Sequence, residues 1–178
     1  MAIKTISEIG SKVIRTKALP LTDISPKKLV KIITDLTDTM RNEGLVGIAG
    51  PQIGLGYSIF LTEIRKTKSR KNITEVDPLR VFINPEIVRV SKHTQDAYEG
   101  CGSVCNGGLF GIVKRPEKIC VRAYNETGEP FELETSGLLA RIIQHEIDHL
   151  NGICFIDKVT DTKKLLGRNE YLKWKKQL

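Results

Sequence analysis

Residues 136–152 read SGLLARIIQHEIDHLNG, and this stretch decides the fold. Its apolar side chains recur at helical spacing and cover most of the helix circumference. They are Leu138, Leu139, Ile142, Ile143, Ile147 and Leu150. A helix that is apolar on nearly all sides lies inside a domain. Ser136 is a typical N-cap, and Asn151-Gly152 is a typical helix end. The sequence therefore predicts a buried central helix.

Polar side chains interrupt this helix at His145, Glu146 and His149. Two histidines four residues apart lie one above the other on the same helix face. That spacing lets both imidazoles hold one metal ion, with Glu146 beside its open side, where a carboxylate can take a proton from water. The chain has 3 histidines, and two of them fall in this motif. The pattern indicates a metal-dependent hydrolase.

A catalytic metal site needs a third protein ligand, and two candidates stand in the sequence. Glu170 lies downstream of His149, where one large class of zinc peptidases has a glutamate ligand. Cys101 lies upstream between two glycines, which let the backbone pass close to a metal or a substrate. A thiolate is a strong ligand for zinc and ferrous iron. Residue spacing alone leaves both candidates open.

The rest of the chain reads as strands with one further long helix. Ser25-Pro26 starts a helical pattern that continues to about Asn42. Residues 44–56 form a glycine-rich loop, and residues 65–71 form a charged, solvated loop. Strands are predicted at residues 57–64, 79–90, 118–124 and 130–135. Strands followed by a helix, without strict alternation, predict an α+β fold with antiparallel sheets packed around the central helix.

Length and composition predict one domain that spans residues 1–178. Hydrophobic residues make up 40% and charged residues 28%, as in ordinary soluble globular proteins. Residues 161–178 carry much of the net charge of +7, and they predict a basic C-terminal helix packed on the domain. With no apolar leader and no run of membrane-span length, a cytoplasmic protein with free thiols and no membrane segment is expected.

Three segments together resemble the peptide deformylase family. They are GIAGPQIG at residues 47–54, EGCGS at residues 99–103 and QHEIDHLNG at residues 144–152. They occur in the order and at the separations that the family has, and the similarity runs from about Val13 to about Asp157. Each segment is short, but their combination in one chain is specific.

The resemblance assigns roles to particular residues. It implies that Cys101, His145 and His149 hold the metal and that Glu146 is the general acid and base, which leaves Glu170 a surface residue. It implies that the Gln52 side chain and the Gly102 backbone N–H stabilise the oxyanion. The implied substrate-binding residues are Val46, Gly47, Gly100, Leu138 and Ile142, with the Gly47 backbone pairing an extended peptide.

The implied reaction removes the N-formyl group from the N-terminal formyl-methionine of a nascent polypeptide and releases formate. The implied cofactor is one divalent metal ion, Fe(2+) first, with Zn(2+), Ni(2+) or Co(2+) also able to occupy the site. The expected partners are a formyl-methionyl peptide and, through the basic tail, the ribosome. The chain is expected to act as a monomer.

The chain departs from the family pattern around the cysteine. Gly102 stands where the family has leucine, and Cys105 stands where it has proline. The loop of residues 105–114 is longer than in common bacterial members, and it is expected to be flexible around Asn106. Motif adjacency also suggests that Arg115 pairs with Asp148. Three alternatives remain: a paralogue that acts on another N-formyl compound, a zinc peptidase that uses Glu170, and a structural metal module that binds RNA.

Overall fold

The helices of the computed structural model are α1 (Pro26–Asn42), α2 (Gly137–Leu150) and α3 (Arg168–Lys175), within the described residues 3–22, 24–67, 70 and 74–177. Helix α1 begins as predicted, because the Ser25 side chain accepts a hydrogen bond from the Lys28 N–H and Pro26 occupies the first turn. Ser136 stands at the N-cap of α2 but makes no side-chain capping bond. None of the helices in these ranges is long and apolar enough to span a membrane.

Strands of the same residues form two antiparallel sheets, which confirms the α+β prediction. In chain order they are β1 (Gly47–Ala49), β2 (Ile59–Ile64), β3 (Asp77–Val90), β4 (Thr94–Gly100), β5 (Leu109–Pro116), β6 (Lys118–Tyr124), β7 (Pro130–Ser136) and β8 (Leu166–Gly167). The five-stranded sheet has the order β1-β2-β3-β6-β7, and the three-stranded sheet has the order β4-β5-β8. Helix α2 contacts strands of both sheets.

The core lies where α2 meets the five-stranded sheet. Phe60 and Phe82 stack with ring centroids 4.5 Å apart, and Ala140 and Ile143 of α2 join them in one buried cluster. This cluster holds the apolar face of α2 against the sheet. The face that carries the histidines therefore turns toward β1 and the three-stranded sheet.

Some predicted elements differ from the structure. Residues 47–49, predicted as part of a loop, form the edge strand β1, because they pair with residues 60–62 of β2. Residues 109–116, which include most of the loop that was expected to be flexible, form β5, because they pair with β4 along its whole length. The C-terminal helix begins at Arg168 instead of residue 161, since residues 166–167 pair with β5 as β8.

Other predictions fall partly outside the described residues. Of the predicted charged loop at residues 65–71, the structure describes residues 65–67 and 70, and Arg65 there pairs with Glu63. The ends of the predicted domain, residues 1, 2 and 178, also lie outside.

Candidate active site

Cys101, His145 and His149 converge between the two sheets. Helix α2 supplies both histidines, and Cys101 directly follows β4. The potential ligand atoms of the three side chains all lie within 4.8 Å of one another. The Cys101 Sγ is 3.1 Å from the His149 Nε2, and the two imidazole rings are 4.9 Å apart. The fold thus brings the thiol to the histidine pair, as the resemblance implied.

The electrostatics of this cluster favour a thiolate. Burial alone would raise the pKa of Cys101, but His149 and His145 together lower it well below its usual value. Burial likewise opposes the charged form of His145, but hydrogen bonds with Cys101 and Glu99 raise its pKa to about 9. The buried ring of His149 also has a raised pKa, because the Cys101 charge outweighs desolvation. The three groups therefore stabilise charge on one another.

The donor set of this cluster fits a divalent metal. One sulfur and two imidazole nitrogens match the preferences of zinc and ferrous iron. His145 Nδ1 contacts Glu99 Oε2 at 2.9 Å, which leaves its Nε2 available to a metal. Glu170 is not part of this set: its side chain is 61% exposed on α3 and pairs with Lys173.

Glu146 lies buried beside the three candidate ligands. It is 3% exposed, and its Oε2 has no hydrogen-bond partner among the described residues. Burial raises the pKa of this carboxyl to about 7, although the two histidines oppose the shift. A Cβ on Gly47 would collide with the Glu146 Oε1, so a glycine is required where β1 passes this carboxylate. An unpaired buried carboxylate with a pKa near neutrality suits proton transfer.

Gln52 and Gly102 lie on the other side of the thiol. Gln52 is 2% exposed, and its Oε1 accepts a hydrogen bond of 2.8 Å from the Ala49 N–H. This bond orients the Nε2 toward the Cys101 Sγ at 3.6 Å and the Ser103 Oγ at 3.3 Å. A Cβ on Gly102 would make only van der Waals contacts, at 3.6 Å or more, with Ile6 and Leu45. Nothing in the packing therefore requires glycine at position 102.

A buried ionic network supports His145 from behind. Arg115 is 2% exposed and donates to Glu99 through two nitrogens, at 2.6 and 2.8 Å. Its third nitrogen donates to Asp148 at 2.8 Å, so the predicted Arg115–Asp148 pair is present. Arg141 also donates to Glu99, at 2.8 Å. Burial would raise the pKa of Glu99, but Arg115 and His145 hold it far below its usual range.

Sequence reasoning missed Glu99 as the centre of this network. The only signal was its position two residues before Cys101, in the segment that carried the resemblance. Alternation along β4 puts its side chain on the same face as Cys101. The partners of Glu99 come from β5 and α2, so the sequence gave no local sign of them.

The candidate ligands open into a cleft of about 420 Å³. All five residues that were predicted to bind substrate line it: Val46, Gly47, Gly100, Leu138 and Ile142. Val46 and Ile142 belong to one buried apolar cluster against which Leu138 packs. The cleft is also lined by residues that sequence reasoning did not place there, which are Arg70, Tyr98, Phe110, Arg168, Tyr171, Leu172 and Lys175.

The segment after Cys101 is a short turn that leads into β5. Cys105 is exposed and unbonded, and both Cys105 and Asn106 have φ of 50°. Phe110 lies against Gly100, where a Cβ would come within 2.5 Å of its ring. The departures from the family pattern are thus confined to one wall of the cleft.

Comparison with known proteins agrees with this geometry. The family profile described as polypeptide deformylase matches residues 3–165. A peptide deformylase of Natranaerobius thermophilus is 40% identical over 161 residues, which are 90% of this chain and 95% of the relative. A peptide deformylase of Desulfitobacterium hafniense is 38% identical over 164 residues, which are 92% of this chain and 99% of the relative.

Solved structures resemble the fold as well. The class I type b peptide deformylase from Acinetobacter baumannii with bound Met-Ala-Ser superposes with a TM-score of 0.81 at 28% identity, covering 89% of this chain and 99% of that one. The peptide deformylase from Synechococcus elongatus in complex with actinonin superposes with a TM-score of 0.79 at 33% identity, covering 96% of this chain and 84% of that one.

Proposed function

The chain belongs to the polypeptide deformylase family, and from that premise we propose that it hydrolyses the N-formyl group of an N-terminal formyl-methionine, releasing formate and a free amino terminus. The observation that carries the proposal is the unpaired, buried Glu146 carboxylate beside the cluster of Cys101, His145 and His149. The family is metal-dependent, and this cluster supplies the ligands. The alternatives are not favoured, since Glu170 is an exposed residue paired with Lys173.

Cys101, His145 and His149 would hold the metal. We propose Fe(2+) as the native ion, with Zn(2+), Ni(2+) or Co(2+) also accommodated by the same sulfur and nitrogen donors. When bound there, a divalent cation polarises a carbonyl and makes water easier to deprotonate. Glu99 orients the His145 ring, and Arg115 holds Glu99 in place.

Glu146 carries the proton through the reaction. Its carboxylate takes a proton from the water that adds to the formyl carbon, and it returns that proton to the nitrogen when the C–N bond breaks. Formate leaves with the added oxygen, and the methionine keeps a free amine. The absence of a fixed partner for Oε2 among the described residues supports this role, because the oxygen is available to a water.

Gln52 and Gly102 would stabilise the charge on the carbonyl oxygen. Gln52 Nε2 and the Gly102 backbone N–H are the donors in this proposal. The bond from the Ala49 N–H fixes the Gln52 amide, so its NH₂ group points to the thiol side of the site. A preorganised donor does not need to reorient as charge develops, which is the source of its catalytic effect.

The peptide would lie along the edge of β1. This strand pairs with β2 on one side, and Gly47 brings its free edge close to Glu146. The apolar cluster of Val46, Leu138 and Ile142 suits the methionine side chain, and Gly100 lines the opposite side of the cleft. An unbranched, polarisable side chain fills such a pocket well.

The test measures formate release and metal content together. Protein prepared without oxygen should release formate from a formyl-Met peptide faster than from other N-formyl compounds. Glu146→Ala should abolish turnover and retain metal, whereas Cys101→Ala should lose metal. Cys105→Ala is the matched control, because this exposed thiol lies outside the cluster. Retained metal and activity in Cys101→Ala, or metal loss in Glu170→Ala, would overturn the assignment.

The remaining expectations concern the state of the protein in the cell. We propose that residues 1–178 act as one monomeric domain in the cytoplasm and meet the formylated nascent chain at the ribosome. The exposed lysines Lys163, Lys164, Lys173 and Lys176 of the C-terminal segment support docking on a polyanion. Co-sedimentation with ribosomes that weakens when these lysines are replaced by glutamine would test this.

A further inference from the structure

One face of α3 forms a wall of the candidate active-site cleft. Arg168, Tyr171, Leu172 and Lys175 all line the cleft, and they recur at positions i, i+3, i+4 and i+7. Residues at this spacing share one side of a helix. The helix therefore presents a continuous polar and aromatic face to the cleft, although none of its residues is buried.

The backbone fixes the start of this wall. Residues 166 and 167 pair with Phe110 and Leu109 of β5, and the Arg168 N–H donates to the Gly108 carbonyl at 2.8 Å. The Arg168 Nη2 donates to the carbonyls of Asn106 and Gly107, at 3.1 and 3.0 Å. Among the described residues, the other two nitrogens of this guanidinium have no partner. Arg168 is thus anchored on one side and available on the other.

An aromatic cluster fixes the rest of the wall. The Tyr171 ring stacks on Phe110, with centroids 3.9 Å apart and planes inclined by 6°. Trp174 packs edge-on against Tyr98 at 4.6 Å, and the Tyr98 hydroxyl donates to the Lys164 carbonyl. Three separate segments, β4, β5 and α3, meet in this cluster. The wall is therefore a built part of the cleft and not a loosely attached tail.

The charge of this wall is positive. Arg168 and Lys175 come from α3, and Arg70 lines the same cleft close enough to Tyr171 to influence its pKa. None of the described carboxylates forms an ion pair with the Arg70 guanidinium. Of the acidic residues that line the cleft, Glu99 is neutralised by Arg115 and Arg141, Glu146 lies deep beside the thiol, and Glu43 stands at the rim. The mouth of the cleft thus suits an anionic group.

We propose that α3 and Arg70 form the subsite for the residues that follow the formylated methionine, and that this subsite selects peptides with an aspartate or glutamate there. The inference rests on the proposed function, because it takes the formyl group to lie at Glu146 and the methionine side chain among Val46, Leu138 and Ile142. The following residues then extend toward the remaining lining of the cleft, which is the α3 wall. Arg168 and Arg70 are the groups that would contact the carboxylate.

The experiment compares formyl-Met-Ala-Asp with formyl-Met-Ala-Asn, together with the pair that has Asp or Asn at the second position. All four peptides are amidated, so that the side chain is the only carboxylate that varies. We expect the wild-type kcat/KM to favour Asp about fivefold in at least one pair at low salt, as for an exposed ion pair of about 1 kcal/mol. High salt should reduce this ratio, because the charges are exposed.

Variants assign the preference to the wall. Arg70→Gln and Arg168→Gln should each lower the Asp/Asn ratio toward one. Arg70→Gln remains informative if Arg168→Gln also disturbs the turn at residues 106–107. Lys173→Gln is the matched control, because Lys173 lies on the same helix, does not line the cleft and pairs with Glu170. It should keep the wild-type ratio.

The outcomes separate this inference from the proposed function. A wild-type ratio of one in both pairs overturns the inference, as does an equal loss of the ratio in Lys173→Gln. Weaker binding of a single-stranded RNA by Arg70→Gln and Arg168→Gln, with the peptide ratios intact, also overturns it. If no formyl peptide releases formate, the proposed function fails. The subsite is then tested by calorimetric binding of Met-Ala-Asp against Met-Ala-Asn, where equal affinities would refute it.

Discussion

Arg115→Ala tests the buried network behind the site most directly. The wild-type guanidinium is 2% exposed and makes three short bonds, two to Glu99 and one to Asp148. Removing one partner of a buried ion pair costs about 3–5 kcal/mol, because the remaining charges stay buried without compensation. Glu99 keeps Arg141 and His145, and Asp148 keeps Lys158 at 2.8 Å. We therefore expect a loss at the lower end, about 3 kcal/mol.

The assay is urea unfolding of the metal-free protein at neutral pH, with a chelator present in all samples. A second readout is metal affinity, measured by competition with a coloured chelator. Because Arg115 fixes Glu99 and Glu99 orients His145, we expect affinity to fall about 10-fold or more. A decrease in unfolding free energy without a decrease in metal affinity would show that the network stabilises the fold but does not orient the ligand.

The matched control is Arg122→Ala. Arg122 pairs with Glu132 in the same antiparallel arrangement, but both side chains are exposed, by 58% and 43%. Exposed ion pairs contribute about 0–1 kcal/mol, so this variant should differ little from the wild type. If Arg115→Ala lost no more stability than Arg122→Ala, the reasoning from burial would be refuted.

Three further predictions follow from the packing and the charges. Gly47→Ala should reduce formate release at least about 10-fold, because its methyl group would displace the Glu146 carboxylate and would lie 2.7 Å from Ile142 Cγ2; Gly56→Ala, which meets no atom within 4 Å, should not, and equal rates would contradict this. Gly102→Ala should raise the free energy of unfolding by about 0.4–1 kcal/mol, since the new Cβ meets Ile6 and Leu45 at van der Waals distance and the unfolded chain loses freedom; thermal unfolding measures this, and a lower melting temperature would be the opposite result. The pKa of Glu99 is lowered in the folded state, so its contribution to stability is present above the unfolded pKa of 4.5 and is lost as the pH falls through the folded value; wild-type stability should therefore fall more steeply than that of Glu99→Gln in acid titrations below about pH 5, and parallel curves would refute the shift.

Local pattern was enough to predict the elements that carry it. The helical spacing of Leu138, Ile142 and the two histidines predicted α2, and Ser25-Pro26 predicted the start of α1. The turn signal at residues 125–128 predicted β6 and β7 nearly to the residue. In each of these cases the deciding residues lie within a few positions of one another.

Elements that depend on a distant partner were missed. Residues 47–49 are rich in glycine and form a strand because β2 lies beside them, and residues 109–116 form a strand because they pair with β4. Residues 166–167 likewise interrupt the predicted C-terminal helix by pairing with β5. Cross-strand pairing and burial decide such cases more than intrinsic preference does.

The candidate site divides in the same way. The sequence by itself determined the histidine pair and Glu146, because a helix places residues four apart on one face wherever it lies. Cys101, Gln52 and Gly47 entered only through resemblance, and the centring of the ionic network on Glu99 did not enter at all. Tertiary structure decided that network and the α3 wall, since their members come from strands and helices far apart in the chain. Only the packing of α2 between two sheets sets the distances among them.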